Sequence, residues 1–292
     1  MKILIAGGTG FIGSYIAKRF LQNGVEVNFV SRSKNHIQWK ITDLTDSLEQ
    51  TDILINLAGK SINCRHTPEN QKLILNSRVD TTKMLGEALQ KCKHKPLLWI
   101  NASASAFYES ENDYCLTETK YEEGKDFLAD TVRAWEMAFF SFSNLAIRQV
   151  ALRTSVVLGK NGGAFEPLQK LTKFGLGGKV GSGKQFFSWI HIEDYFRIIE
   201  YLIKNKLVQG AINVTSPTPV TNALFMKSMR QAMGVHFGLP APEIAIKVGA
   251  RFINTEAGLL LNPVRYCPET LINSGFKFKY PTCDSALKEL VS

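Results

Sequence analysis

The chain has 292 residues, 45% of them hydrophobic and 21% charged. Those figures suit one large α/β domain, or one domain with a smaller lobe, and exclude wholesale disorder. No apolar run reaches the roughly 18 residues of a membrane helix, and glycine follows Met1-Lys2-Ile3-Leu4-Ile5-Ala6 too soon for a secretory signal. The formal charge of +9 comes from 35 Lys+Arg against 26 Asp+Glu. Its basic residues are scattered, as in Lys18-Arg19 and Lys277/Lys279, so they read as a surface attractive to phosphorylated small molecules and not as a nucleic-acid footprint. The five cysteines (Cys64, Cys92, Cys115, Cys267, Cys283) make no C-x-x-C, and no histidine sits at zinc-ligand spacing. A reduced, cytoplasmic protein with idle thiols and no metal is expected.

Lys2–Ala6 is a short apolar run stopped by Gly7, as in a buried strand. Phe11–Gln22 repeats apolar residues at helical spacing and ends on Asn23-Gly24, a C-cap pair. Val25–Val30 and Asp52–Leu57 read as strands and Glu69–Lys91 as a long helix. Leu97–Ala102 reads as a strand, Asp126–Ser141 as a helix and Val150–Leu158 as one strand. Strands apolar on both faces and joined by helices predict a parallel sheet covered on both sides, hence a doubly wound α/β fold. After Leu158, glycines at 159, 162, 163, 175, 177, 178, 181 and 183 punctuate apolar stretches, followed by helices near Ala223–Met233 and Glu243–Asn254. Residues 1–160 are expected to form the doubly wound domain, with later segments free to complete its sheet. Residues 161–292 are expected to form a C-terminal substrate-binding lobe.

Gly7-Gly8-Thr9-Gly10-Phe11-Ile12-Gly13 lies between the first strand and the first helix. Glycines there permit a tight turn and close approach of a pyrophosphate, while the helix N-terminus offers unpaired amides and the positive end of its dipole. Gly7, Gly10, Phe11, Ile12 and Gly13 are therefore candidate cofactor-binding residues. An NAD site would carry Asp or Glu at the end of the second strand, for the ribose 2′-hydroxyl. Ser31-Arg32-Ser33-Lys34 stands there instead. A hydroxyl and a guanidinium suit a 2′-phosphate, so Ser31 and Arg32 predict NADP(H) in preference to NAD(H).

These residues resemble the extended branch of the short-chain dehydrogenase/reductase superfamily over nearly the whole chain. The glycine cluster and Asn56-Leu57-Ala58-Gly59 are its general marks. Ser77-Arg78, Trp135-Glu136, Leu152-Arg153-Thr154-Ser155-Val156-Val157-Leu158-Gly159, the glycine-rich stretch 175–183 and Trp189-Ile190-His191-Ile192-Glu193-Asp194 narrow it. Together they are similar to the atypical epimerase family of predicted nucleoside-diphosphate-sugar epimerases, some of whose members carry a cell-division-inhibitor label. The resemblance implies an NADP(H)-binding Rossmann fold with an appended C-terminal domain. It places Leu57 and Ala58 against the adenosine side of the cofactor, with Gly59 as a neighbouring contact. It places Arg78 at the cofactor or active site, where extended reductases usually have Asn, and Val157 beside the nicotinamide.

Hydride transfer to a carbonyl needs an acid for the developing alkoxide. The superfamily uses Ser with Tyr-x-x-x-Lys on one helix face. Ser103 and Ser105 are both candidates for the serine. A literal match exists at Tyr121 and Lys125, but Gly124 disfavours helix inside it and Asp126 looks like the cap that starts the helix. Counting back from Glu136 puts Leu128 and Val132 at the Tyr and Lys positions, so the usual pair reads as absent, with Tyr108, Ser103 and Lys125 as substitutes. Phe187 stands where the extended branch usually carries an Arg that grips a diphosphate, which weighs against a nucleotide sugar. Phe186, Phe187 and Trp189 either line an apolar pocket or pack the lobe, and His191 reads as a bridge between lobe and sheet. The sequence predicts an NADP(H)-dependent oxidoreductase or epimerase acting on a small carbonyl or sugar-type compound. The alternative is a non-catalytic NADP(H)-binding sensor or partner-binding protein.

Overall fold

The computed structural model describes residues 1–109, 114–243 and 264–292. Five strands, β1 (Lys2–Ala6), β2 (Glu26–Val30), β3 (Ile53–Asn56), β4 (Leu98–Ala104) and β5 (Arg148–Thr154), alternate with four helices, α1 (Phe11–Gln22), α2 (Ile41–Leu48), α3 (Pro68–Lys91) and α4 (Phe127–Phe140). Successive strand residues point to opposite faces, and here both faces are apolar. Ile3, Ile5, Ile53, Ile55, Val150 and Leu152 share a core with Ile16 and Phe20 of α1. Leu4, Leu54, Trp99 and Ala151 share another with Leu44 of α2, Leu85 of α3 and Phe139 of α4. Strands without a wet face pair in parallel beneath helices on both sides.

The predicted strand Val150–Leu158 is instead two strands in two sheets. β5 stops at Thr154; β6 (Val156–Gly159) joins a second sheet with β7 (Gly162–Gly163) and, beyond α5 (Phe165–Lys173) and β8 (Phe186–Phe187), β9 (Trp189–His191). The break falls at Ser155, whose amide and hydroxyl both donate to the Val214 carbonyl at 3.1 Å. α6 (Ile192–Lys204) then returns to the face of α1, where Phe196 meets Phe20 edge-on with ring centroids 5.0 Å apart. β10 (Gly210–Val214) pairs in parallel with β5. The main sheet is six strands in the order β10-β5-β4-β3-β1-β2, completed from beyond residue 160. The strand order reverses between β1 and β3, as in a doubly wound Rossmann-type fold, and that reversal opens a crevice at the strands' carboxyl ends.

The C-terminal lobe adds β11 (Val220–Thr221), paired with β8, and helices α7 (Asn222–Ala232), α8 (Glu269–Asn273) and α9 (Cys283–Val291). Leu158, Phe165, Trp189, Phe225, Met229 and Leu287 form its core. Phe187 stacks on Phe225 at 4.2 Å and Trp189 is fully buried, so both pack the lobe. The helix predicted at Glu243–Asn254 lies, from residue 244 on, outside the described residues.

The cysteines require a correction. Cys115 and Cys267 are joined in a disulfide, with Cα atoms 5.7 Å apart, while Cys64, Cys92 and Cys283 are free. Among the described residues no helix is long and apolar enough to cross a membrane, and no His/Cys/Asp/Glu group is arranged to hold a metal.

Asp194, in the first turn of α6, pins the C-terminal segment to the sandwich. Its carboxylate is wholly buried and accepts from the Lys279 and Tyr280 amides at 2.7 and 2.8 Å, and from the Arg197 guanidinium at 3.0 Å. Replacing it strands two backbone donors and removes a buried charge from its partners. Asp194→Ala should lower the unfolding free energy in a urea titration by about 3 kcal/mol.

Candidate cofactor and active site

A cavity of about 890 Å³ occupies the crevice at the ends of β1, β2 and β3. Gly7, Gly10, Ser31, Arg32, Leu57, Ala58 and Gly59 all line it, so seven of the predicted cofactor residues converge there. Gly7 has φ +77°, and a Cβ on it would lie 2.7 Å from the Leu57 carbonyl carbon and 2.8 Å from the Ala58 nitrogen. Conformation and space both demand glycine at that position. Gly10 differs. A Cβ there would meet only the Gly7 oxygen, at 3.5 Å, so the protein itself has room for one. What that side chain would fill is the cavity, at the start of α1.

α1 begins without a side-chain cap and without an acidic residue in its first turn. By contrast, Thr67 caps α3 and Asp126 caps α4. The first amides of α1 are thus left for an anion, with the positive end of the helix dipole behind them. Phe11, Ile12 and Gly13 supply those amides, but their side chains do not line the cavity. The Phe11 ring lies against Gly159, Gly162 and Gly163, Ile12 packs on the core, and Gly13 lets α1 sit on the Gly7 and Gly8 backbone.

At the end of β2, Ser31 exchanges a hydrogen bond of 2.8 Å with His36 Nδ1 and accepts from the Ser33 amide, which shapes the turn. Arg32 is exposed at the cavity mouth and has no salt bridge among the described residues. Arg78 does not line the cavity but sits beside it. Its guanidinium donates to the Lys60 and Ile74 carbonyls at 3.0 Å and lies 5.2 Å from the Trp135 ring. It has no carboxylate partner among the described residues. Burial pulls it down to about 10, which still leaves it charged at neutral pH. Val157 is buried in the second sheet, paired with Ile190, and is not on the cavity wall.

The ends of β4 and β5 carry a buried polar network. Arg153 binds Glu136 through Nε and Nη2, at 2.9 and 2.7 Å. Ser103 Oγ donates to Glu136 Oε1 at 2.6 Å. Arg153 Nη1 donates to the Tyr108 hydroxyl at 2.8 Å, and that hydroxyl donates to Asn213 Oδ1 at 2.7 Å. Burial lowers the Arg153 guanidinium's hold on its proton, but Glu136 outweighs it and the net shift is upward. Burial pushes the Tyr108 phenol up to about 12. Ser103 and Tyr108 are thus committed to the network, whereas Ser105 stays half-buried in the 3-10 turn Ser105–Phe107, and burial pushes the neighbouring Tyr266 phenol up. Tyr121 and Lys125 lie before α4 begins, so they share no helix face; Leu128 and Val132 are the residues on α4. His191 accepts the Glu193 amide at Nδ1 and meets Glu289 of α9 at 3.0 Å through Nε2, and burial lowers its pKa.

The NAD dependent epimerase/dehydratase family model matches residues 3–215, and a domain of unknown function, DUF1731, matches residues 241–290. The chain belongs to the NAD dependent epimerase/dehydratase family. It is similar to the epimerase family protein SDR39U1 of Mus musculus, 34% identical over 100% of both chains. The epimerase family protein YfhF of Bacillus subtilis is also 34% identical, over 100% of this chain and 98% of its own length. A crystal structure of human SDR39U1 (isoform 2) with NADPH has a TM-score of 0.90 at 33% identity, covering 100% of this chain and 99% of that one. A UDP-N-acetylglucosamine 4-epimerase from Bacillus cereus shares the fold, with a TM-score of 0.78 at 17% identity over 100% and 98% of the two chains.

Sequence reasoning passed over Trp39 and Lys60, and over the stripe Leu73, Ser77 and Thr81, all on the cavity wall. That stripe recurs at i, i+4 and i+8 on one face of α3, a periodicity that sequence could have flagged. Ser77 also accepts from the Lys60 amide at 2.8 Å and so sets the loop after β3.

Two substitutions test this geometry. Gly7→Ala should force apart the β1 and β3 turns and weaken dinucleotide binding by roughly 100-fold or more in a fluorescence titration. Glu136→Gln should leave Arg153 buried without a countercharge and cost about 3 kcal/mol in a denaturant melt. Its effect on dinucleotide affinity should stay within about twofold, because the cavity lies apart from the network.

Proposed function

We propose that the chain is an NADP(H)-dependent oxidoreductase or epimerase acting on a small carbonyl or sugar-type compound. Arg32 carries the cofactor choice. It is a solvent-facing guanidinium at the mouth of the cavity, with no acid at the end of β2 to accept from a ribose hydroxyl. A 2′-phosphate beside it would gain charge-assisted, two-pronged hydrogen bonds. The human relative's NADPH supports the same choice.

Bound cofactor supplies the hydride donor or acceptor. The chain's own residues do the positioning. The uncapped amides of α1 take the pyrophosphate, and Leu57, Ala58 and Gly59 border the adenosine half. Arg78 adds a sheltered positive charge beside them. On the substrate side we assign Ser105, in preference to Ser103, to the reacting oxygen, because its hydroxyl is not tied to Glu136. The Tyr266 phenol, raised by burial and therefore protonated, backs Ser105. Together they make a serine–phenol pair in place of the missing Tyr-x-x-x-Lys. Phe187, packed on Phe225, offers no charge to a diphosphate, so a compound without one suits the lobe better.

The second reading is a non-catalytic NADP(H)-binding protein, favoured by the commitment of Ser103 and Tyr108 to the buried network. One experiment separates the two. Protein loaded with NADPH is offered a panel of small aldehydes, ketones and sugar nucleotides, and the nicotinamide absorbance is followed. The catalytic reading expects stereospecific consumption that falls roughly 100-fold in Ser105→Ala. It also expects Arg32→Ala to weaken NADPH binding by about tenfold or more while leaving NADH within about twofold. Tight NADPH binding with no turnover above the Gly7→Ala control selects the non-catalytic reading.

A further inference from the structure

The Cys115–Cys267 disulfide joins the segment before α4 to the segment before α8. Cys115 lies in the loop between β4 and α4, downstream of Ser105 and Tyr108, and Cys267 lies just before α8 in the C-terminal lobe. Both cysteines are partly buried, as Cys64 is, unlike the buried Cys92 and Cys283. The same segments meet through two backbone bonds. The Leu116 amide donates to the Arg265 carbonyl at 2.8 Å, and the Cys267 amide donates to the Leu116 carbonyl at 2.9 Å. Asn213 finishes the joint. Its Nδ2 donates to the Cys267 carbonyl at 3.0 Å, while its Oδ1 accepts from Tyr108 at 2.7 Å. The covalent tie is thus two side chains, Asn213 and Tyr108, away from the Arg153–Glu136 pair. None of the residues lining the dinucleotide cavity comes from either segment.

We propose that Cys115–Cys267 is a redox-modification site, a two-electron clamp whose reduction by a thiol or dithiol loosens residues 114–125 against the C-terminal lobe and leaves the dinucleotide cavity intact. The exchange balances. A reductant thiolate attacks one sulfur of the pair, forming a mixed disulfide and releasing one cysteine. A second reductant thiol displaces the other, so the two cysteines gain two electrons and two protons and the reductant leaves as a disulfide. Access favours this pair, since exchange requires a thiolate to reach the sulfur along its axis. What remains after reduction is the buried apolar cluster of Leu116, Val264 and Tyr266 with Phe107 and Tyr108, and the hydrogen bonds of Glu118 and Asn213, with no covalent tie between segments 152 residues apart in the chain. The inference rests on this joint and not on the assignment of a substrate or a turnover.

The test uses the full-length protein, oxidised with diamide or reduced with dithiothreitol, then alkylated under denaturing conditions and weighed. Five alkylated cysteines are expected after reduction and three after oxidation, matching the one disulfide and three free thiols. Limited trypsin digestion then reads the loop at Lys120 and Lys125, both exposed. Cleavage there should speed up about tenfold or more on reduction, as expected for local release without global unfolding. NADPH affinity, followed by fluorescence, should shift by less than about twofold, since no cavity residue belongs to the joint. Cys115→Ser should be cut at the fast rate in either redox condition, and Cys64→Ser should keep the wild-type response. Five alkylated cysteines after diamide, or equal cleavage rates in the two states, would overturn the proposal. So would a loss of NADPH affinity as large as the gain in cleavage.

Discussion

The buried ion pair between Arg153 and Glu136 holds the carboxyl ends of β4 and β5 together. Both side chains are less than a tenth exposed, and the guanidinium meets the carboxylate through two nitrogens. Taking two charges out of water costs several kcal/mol per ion, and their attraction offsets that only when the remaining donors and acceptors are also satisfied. Here they are. Ser103 donates to Glu136, Tyr108 accepts from Arg153, and the Phe107 ring covers the guanidinium at 3.7 Å. The pair therefore dictates what its neighbours can do. β4 gives up a serine to it, β5 the arginine, α4 the glutamate, and β10 enters through Asn213. Four elements of the central sandwich are locked in register by one charge-neutral cluster.

The two halves of the site consequently obey different rules. The cofactor half is built from backbone. Its selectivity comes from a turn that only glycine can make, from helix amides left uncapped, and from a cavity floor of strand-end peptide groups. Side chains enter this surface at its mouth, where Arg32 stands. The substrate half is built from side chains that already have partners. Ser103 and Tyr108 occupy positions where a catalytic hydroxyl is expected, yet both spend their hydrogen bonds on the ion pair. Freeing either would uncover a buried charge. The network and the chemistry compete for the same groups, which directs attention to Ser105 and Tyr266, outside the cluster.

The same division explains how much was legible in the sequence. Local features could be read. β1 and α1 stand where the apolar run and the helical spacing put them, and Asp126 caps α4 as its residue type suggests. Features set by distant partners could not. Arg153-Thr154-Ser155 interrupts the apolar residues of Val150–Leu158, a local sign of a break that was read through; what makes Ser155 the crossing between two sheets is the Val214 carbonyl, which arrives much later in the chain. The short helix α2 buries only Leu44 and Leu48, too few to set up a periodicity. β10 has the composition of any short strand until it pairs with β5. The disulfide was hidden by an odd cysteine count and a separation of 152 residues. The commitment of Ser103 to Glu136, across 33 residues, was hidden for the same reason.

Three arginines show how structure separates the roles that sequence treats alike. Arg153 is surrounded by countercharge, hydroxyl and aromatic ring, and needs nothing further. Arg32 stands in solvent, where an unpaired guanidinium costs little and remains available. Arg78 is the informative case. It is shielded enough to be pulled down to about 10, yet among the described residues it finds only carbonyl oxygens and the Trp135 ring. Carbonyl dipoles and a ring face ease a buried cation's desolvation but do not neutralise it. The Arg78 Cζ would lie 3.3 Å from a Cβ on Gly59, so the charge sits beside the cavity lining and not in it. The three side chains thus differ in what surrounds them: Arg153 has a countercharge, Arg78 neutral dipoles and a ring, and Arg32 solvent.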